Sequence, residues 1–347
     1  MAINQTKVAD VIQPELFAQY VIDRTTELSK IMYAGVIENN PRLNELITGG
    51  GTILHMPSWN DLTGQSEVLS EAHDISVGKI TAKAELATLL IRAGAWGAHE
   101  LAGALAGDDP MKAIGELVAN WWVRDEKRNL LSILKGIFNI TADSTHVALS
   151  DHVLDLVGSA SAASSATKIS GNAVLDAKQL MGDASDLLTM LYMHSATFTE
   201  LQKQNMIQFI PTSESHITIP TYLGYRVIYD DSCPVDTVGS GSSAFKKYTT
   251  YLLSKGAIQR GVGKPVSITE VETDRDSLGS TDYLINRQAK VLHPRGISWV
   301  GAGQIDDVTP SDLELANASV TSGATNNNWS VVADPKKIGI VKLVHTL

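Results

Sequence analysis

The apolar positions of this chain change period several times, and each change marks a new element. In residues 1–48 the segment PELFAQYVIDRTTELSKIMYAGVI sets Leu16, Phe17, Tyr20, Val21, Leu28, Ile31 and Met32 at roughly helical spacing, with breaks at Pro14 and Pro41. Such a short stripe has no partner nearby in sequence. It is expected to pack on the rest of the chain or on a neighbouring subunit. Gly49-Gly50-Gly51 ends the pattern. TILHM at 52–56 then reads as a strand, PSWNDLTGQ at 57–65 as turn-rich, and Ile75 to Ile91 as a long β-like run. Together they predict a long hairpin whose faces nothing nearby in sequence covers.

The longest helical pattern comes next. Asp109 is placed to cap it, and Pro110 sits at the first helical position, where a missing N–H costs nothing. No further proline occurs before Phe138, so 110–138 as one helix would span roughly 43 Å. Apolar residues recur at Met111, Ile114, Leu117, Val118, Trp121 and Trp122, then at Leu130, Leu131, Leu134, Ile137 and Phe138. RDEKRN at 124–129 is polar all round, which predicts a solvated middle on a beam lying across a sheet. SASAASSATK at 159–168 reads as a linker. A second helix is predicted from a Ser170 cap, with Ala173, Ala177, Leu180, Ala184, Leu187 and Leu191 at a 3.6-residue period. A third is predicted over 197–207. Strand patterns follow in SHITIPTY, LGYRVIYD, YTTYLLSKGAIQRG and SITEVETD, in a long run over 282–300, and in the C-terminal IGIVKLV.

Composition narrows the function. A chain of 347 residues with 44% hydrophobic and 19% charged residues is globular, and long enough for two or more packed subregions. Its formal net charge is −10, and no Lys/Arg run exceeds a pair, which argues against holding DNA by phosphate neutralisation. A single cysteine excludes an intrachain disulfide and any multi-cysteine metal site, and it suits assembly in a cytoplasm. MAINQTKVADVIQPELF lacks the pattern of a signal peptide, and no window approaches 18 uninterrupted apolar residues, so no membrane span is expected.

Candidate chemistry gathers in LGYRVIYDDSCPVD, positions 223–236, where a strand pattern runs into Asp230, Asp231 and Cys233. A hydrolase using these three residues is the enzyme alternative. Two carboxylates are too few for a Ca²⁺ or Mg²⁺ site built of protein oxygens, whereas Asp at a strand end forms Asx turns. Carboxylate neighbours also raise a thiol pKa, which disfavours a reactive thiolate. His194-Ser195 has no G-x-S-x-G elbow around it and reads as a helix-end pair. GAIQRGVGKP at 256–265 lacks both the first P-loop glycine and the hydroxyl after Lys264, and reads as a glycine-rich turn between strands. The nine histidines show no metal-ligand spacing. No catalytic residue, cofactor or metal is therefore expected.

An arm, a projecting hairpin, a long helix, an α/β lobe and a late returning strand make an order that resembles the major capsid proteins of tailed bacteriophages. Local wording is similar too: VADVIQPELFAQYV, MPSWNDLTGQSEVLSE, LAGDDPMKAIGELVANWW, LGYRVIYDD, KYTTYLLSKGAI and KKIGIVKL. The resemblance spans essentially the whole chain. It implies an α+β capsid fold, shared with the herpesvirus capsid floor domain and with encapsulins. Residues 1–50 would be an N-terminal arm and 51–93 an extended β-hairpin loop. Residues 94–139 with 281–302 would form a peripheral domain carrying the spine helix 110–138. Residues 140–280 with 303–347 would form an axial α/β domain. The implied function is a self-assembling subunit of an icosahedral or prolate head that encloses double-stranded DNA. An encapsulin-type compartment shell is the alternative. Implied partners are the chain itself in hexamers and pentamers, a separate scaffolding protein, a portal and a decoration protein, in a virion assembled in the host cytoplasm. Candidate subunit contacts are Phe17 and Tyr20 in the arm and Met56, Trp59, Leu69, Ile75, Val77 and Lys79 in the loop.

Overall fold

The computed structural model describes residues 35–62, 64–68, 77–100, 110–144, 146–158, 162–204, 207–211, 218–239, 244–265, 268–301, 308–317 and 327–347. In chain order the elements begin with β1 (Ile37–Asn39), α1 (Pro41–Thr48), β2 (Ile53–Trp59), β3 (Ala82–Thr88), β4 (Leu90–His99) and α2 (Pro110–Ile137). Next come β5 (Val153–Asp155), α3 (Gly171–Gln179), β6 (Leu188–Met193), α4 (Ser195–Lys203), β7 (Ile207–Pro211), β8 (Thr218–Tyr222), β9 (Tyr225–Tyr229) and β10 (Val235–Val238). The chain continues through β11 (Phe245–Ser254), β12 (Ile258–Gly263), β13 (Val271–Asp276), β14 (Thr281–Pro294) and β15 (Ile297–Trp299). It ends with α5 (Asp312–Leu315), β16 (Trp329–Val331) and β17 (Ile340–His345).

Two sheets organise these elements. The first is built on the 14-residue strand β14, with β4 along one edge and β13 and β12 sharing the other; β1 adds to β12 in parallel. The second has eight strands in the order β5-β17-β11-β6-β9-β8-β7, with β10 beside β11. The chain crosses between the sheets at Lys255-Gly256, where Gly256 takes a φ of +67°. The single run YTTYLLSKGAIQRG is therefore two strands in different sheets. Strands β12 and β13, within 140–280, pair with β14 in the first sheet rather than with the second.

Helix α2 bridges the two sheets. Its first half buries Val118 and Trp122 against Ala98, Val271 and Leu284 of the first sheet. Its second half buries Leu130, Ile133, Leu134 and Ile137 against Tyr192, Ile228 and Tyr251 of the second and Leu90 and Leu292 of the first. The opposite face of the second sheet is covered by α3 and α4, through Val174, Ala177, Met181 and Leu201.

Several expectations are corrected. The middle of α2 is not solvated: Asp125, Glu126 and Asn129 are all buried. The second helix does not reach Leu191. The Ser170 hydroxyl caps it by accepting from the Ala173 N–H at 3.3 Å, but the helix ends at Gln179, and Gly182 adopts a φ of +57°. Leu188–Met193 is then a central strand buried on both faces, where an apolar run carries no strand period. The third helix runs from Ser195 to Lys203 rather than 197–207. The late strand breaks at Gly296, whose φ is +83°. The run from Ile75 to Ile91 holds strand β3 over 82–88 and the start of β4, which belongs to the first sheet. GVG at 261–263 is not a turn but the end of β12. A Cβ on Gly261 would lie 2.7 Å from the Leu43 Cβ, and one on Gly263 would lie 2.8 Å from the Ile47 Cβ, so these glycines let α1 seat on the strand. Leu43 and Ile47 are buried there against Ala289 and Val291 of the same chain.

Candidate functional site

The proposed chemistry around Asp230 can now be judged from geometry. Asp230 follows β9 and accepts the Ser232 N–H at 3.0 Å, closing an Asx turn. Its other oxygen lies 2.5 Å from Lys127 Nζ in the middle of α2. Burial raises the Asp230 carboxyl pKa. The Lys127 ammonium and the Ser232 N–H outweigh it and leave the group below its ordinary value, and so ionised. Cys233 is buried in the core beside Tyr192, and burial followed by the Asp230 charge pushes its thiol well above its ordinary pKa. A thiol held protonated is no nucleophile.

The fold brings a serine, a histidine and an aspartate together. Ser195 Oγ donates to Asp231, and His194 Nε2 stands 3.9 Å from the same carboxylate. The arrangement is a helix cap, not a triad. His194 is the N-cap of α4, and its Nδ1 accepts the Ala196 N–H at 3.0 Å. His194 Nδ1 is taken up by the cap, and the serine hydroxyl is directed at the aspartate rather than at the imidazole. The hydrolase reading of Asp230, Asp231 and Cys233 is thereby corrected: these groups tie a turn to two helices. Among the described residues no group of three or more His, Cys, Asp or Glu could hold a metal ion. No described helix is long and apolar enough to cross a membrane.

The polar middle of α2 is the most heavily bonded charged cluster of the described fold. Lys290 Nζ of β14 meets Asp125 at 2.8 Å, with both side chains only 2% exposed. Lys290 also lies over the Trp122 ring at 5.6 Å. Asp125 accepts from Arg128 at 2.6 Å and from the Asn129 amide at 3.1 Å. Arg128 continues to Asp312 of α5 at 2.7 Å, and Asp312 stands 3.5 Å from Arg92 of β4. Arg260 of β12 grips both oxygens of Glu126 at 2.7 and 3.2 Å. Successive residues 125–128 thus reach β14, β12, the turn after β9 and α5. Sequence reasoning saw only a hydrophilic stretch; the partners on other elements lie 100 or more positions away and leave no local signal.

Several of the most exposed apolar side chains lie on the hairpin and its loop. Strands β2 and β3 pair from Ile53↔Thr88 to Trp59↔Ala82, and Asn60 N donates to Thr81 O at 2.8 Å beyond them. Residues directly opposite share a face. Leu54 and Ala87 at the root are buried with Leu43, Leu89, Ala289 and Val291. Burial falls away toward the tip. Trp59 is 71% exposed, Leu62 77% and Val77 98%, and Val68 and Ile80 are exposed as well. Of the expected contact residues, Trp59, Val77 and Lys79 are open. Met56 is half-buried against the hairpin root of its own chain. Phe17, Tyr20, Leu69 and Ile75 lie outside the described residues, as does the Asp109 cap. Leu62, Val68 and Ile80 were not singled out from sequence, although they flank the same polar loop.

No protein-family model matches the chain. The major capsid protein of Bacillus phage SPP1 is 42% identical over 344 residues, covering 99% of this chain and 98% of its own. The capsid of Ralstonia phage GP4 has a similar fold, with a TM-score of 0.60 at 9% identity over 90% of this chain and 87% of that one. So does the capsid of cyanophage Pam1, with a TM-score of 0.56 at 9% identity over 93% and 92%. A relative alike over its full length, on a fold of two sheets, a bridging helix and a projecting hairpin, takes the phage reading over a compartment shell or an enzyme: the chain belongs to the bacteriophage major capsid proteins and is a structural subunit of the head.

Proposed function

We propose that this subunit assembles with copies of itself, as hexamers and pentamers, into a closed icosahedral or prolate shell that encloses double-stranded DNA without reading its sequence. The carrying observation is the exposed apolar end of the hairpin. Trp59, Leu62, Val68 and Val77, on the hairpin and its loop, are exposed within the described chain, and large bare apolar side chains invite a partner. Covered by a neighbouring subunit, a side chain the size of Trp59 contributes about 5 kcal/mol at ~25 cal/mol per Å². Met56, Trp59, Val77 and Lys79 with Leu69 and Ile75 of the loop, and Phe17 and Tyr20 of the arm, are the proposed contact residues. The 1–50 arm is proposed to act through the part before Gly35. The loop 51–93, the peripheral elements around α2 and β14, and the axial second sheet form the working division of the subunit. The role is structural and needs no catalysis, cofactor or metal. A scaffolding protein, a portal and a decoration protein are proposed as partners, with assembly in the host cytoplasm.

The test is electron microscopy of the expressed full chain, alone and with scaffold. Capsomers, tubes or shells are expected. Trp59→Asp should abolish them while circular dichroism and the unfolding midpoint stay unchanged, because the residue is open in the subunit. A strictly monomeric wild type in the presence of scaffold, or normal shells from Trp59→Asp, would count against the reading.

A further inference from the structure

Trp59 and Val77 of the hairpin are exposed, but its root rests on the body of the subunit. Outward from the buried Ala87, the next side chains on the inner face of β3 are Glu85 and Lys83. Both are polar, and both are bonded to the body. One Glu85 oxygen lies 3.2 Å from His293 Nε2 of β14 and accepts the Gly296 N–H at 3.2 Å. Lys83 Nζ donates to the Val332 carbonyl at 2.9 Å, and the Leu86 N–H donates to Ser298 Oγ at 3.1 Å. Arg295 adds its charge near Glu85 from the same turn. Apolar contact would hold a hairpin loosely over a range of angles. Directional bonds to the 293–298 turn hold it at one.

His293 points the same way. Its side chain is 1% exposed, and among the described residues its Nδ1 has no hydrogen-bond partner. A carboxylate only accepts, so the His293 proton sits on Nε2 and is directed at Glu85. A buried imidazole whose bond runs to the hairpin serves the hairpin, since burying an unpaired polar ring for packing alone is costly. Lys337 and Asp61 add a contact farther out at 3.7 Å, but both are open to water and it holds little.

We propose that Glu85 and His293 form a latch that sets the angle of the hairpin on the body of the subunit, with Lys83 and Ser298 as its outer and inner stops. The inference rests on the assembly reading only for its purpose: a hairpin held at one angle presents Trp59 and Val77 to a neighbour in one place. The latch itself is a property of the single subunit.

It is tested on full-length, unassembled subunits. Spin labels at Val77→Cys and Lys135→Cys report the distance between the hairpin and α2, with Cys233 left buried. The wild-type background should give a narrow distribution. Glu85→Ala, which removes both accepted bonds, should broaden it and speed amide exchange in 53–59 and 82–88 about tenfold, with exchange in α2 and β17 unchanged. Glu85→Gln keeps a carbonyl acceptor and should recover most of the narrow distribution; it also serves if the alanine variant does not fold. His293→Leu, which has no donor and leaves only the Gly296 bond, should also broaden the distribution, but less than the alanine variant does. Unchanged distributions, or exchange rising equally across the whole chain, would overturn the latch. A wild type that forms no particles would overturn the assembly reading and leave this measurement standing.

Discussion

Lys290 and Asp125 sit at the centre of α2's contacts, yet a buried ion pair is weak evidence for stability, because desolvation offsets most of the attraction. Their loss should be asymmetric. Asp125→Leu strands the Lys290 ammonium inside the protein and is expected to cost about 3–5 kcal/mol. Lys290→Met should cost less, because Arg128 and Asn129 still bond the Asp125 carboxylate. The double variant should recover most of the stability. Urea unfolding of the three variants checks this order, and equal costs for the two single changes would refute the sharing. Gly136 is a second sensitive position. A Cβ there would run into the Leu315 carbonyl oxygen, which already accepts the Trp329 indole N–H at 2.8 Å. Gly136→Ala should therefore destabilise by about 3 kcal/mol, since backbone stands in the way and a rotamer change cannot relieve it. An unfolding free energy within 0.5 kcal/mol of wild type would show that α5 can move aside.

Among the elements, β17 carries the clearest pH signature. His345 lies in this strand with Nδ1 directed at the Thr346 carbonyl at 3.1 Å and Nε2 at 3.0 Å from Thr250 Oγ1. Burial holds its pKa down to about 4, and burial also lowers that of His152, whose Nδ1 donates to Ile340 O at 2.9 Å. Both imidazoles are neutral in the fold, whereas the unfolded chain takes up protons near 6.5. Their stabilising effect is thus complete above pH 6.5 and is lost as pH falls toward 4. For His345 the loss amounts to about 3 kcal/mol. Unfolding measured at pH 7 and pH 4.5 should show a smaller pH difference in His345→Gln than in the wild type. Equal pH differences would mean that carboxylates alone set the acid limit. The elements also explain a miss at α2. Its apolar halves were legible because a 3.6-residue period needs only local sequence. Its centre was misread because RDEKRN looks the same whether water or Lys290, Arg260 and Asp230 surrounds it.

At the scale of the whole molecule, a net charge of −10 and the absence of long basic runs bear on the cargo. Subunits that enclose DNA without gripping it are expected to leave duplex DNA unshifted in a mobility assay at physiological salt. Retention with a steep salt dependence would reveal a phosphate-binding face that composition does not suggest. The hairpin belongs to this scale as well. Its root is part of the core, Trp59 and Val77 farther out are exposed, and the proposed latch at Glu85 lies between root and Trp59.

Sequence alone determined the order of the main elements, the unbroken helix from Pro110, the Ser170 cap and the projecting hairpin, together with the resemblance that the SPP1 relative supports. These are local or global properties of the string: period, turn chemistry, composition and wording. It could not determine where β11 ends and β12 enters another sheet, because a turn at Gly256 inside an apolar run looks like a bend in one strand. Nor could it place glycines 261 and 263 under α1, or assign Glu85 to His293. Those pairings join residues far apart in the chain, and only the tertiary structure selects them, through close packing and the need to satisfy buried charge. Asp230 and Asp231 illustrate the division. Their turn was readable from the sequence, while the lysine and the helix cap that occupy them were decided by the fold.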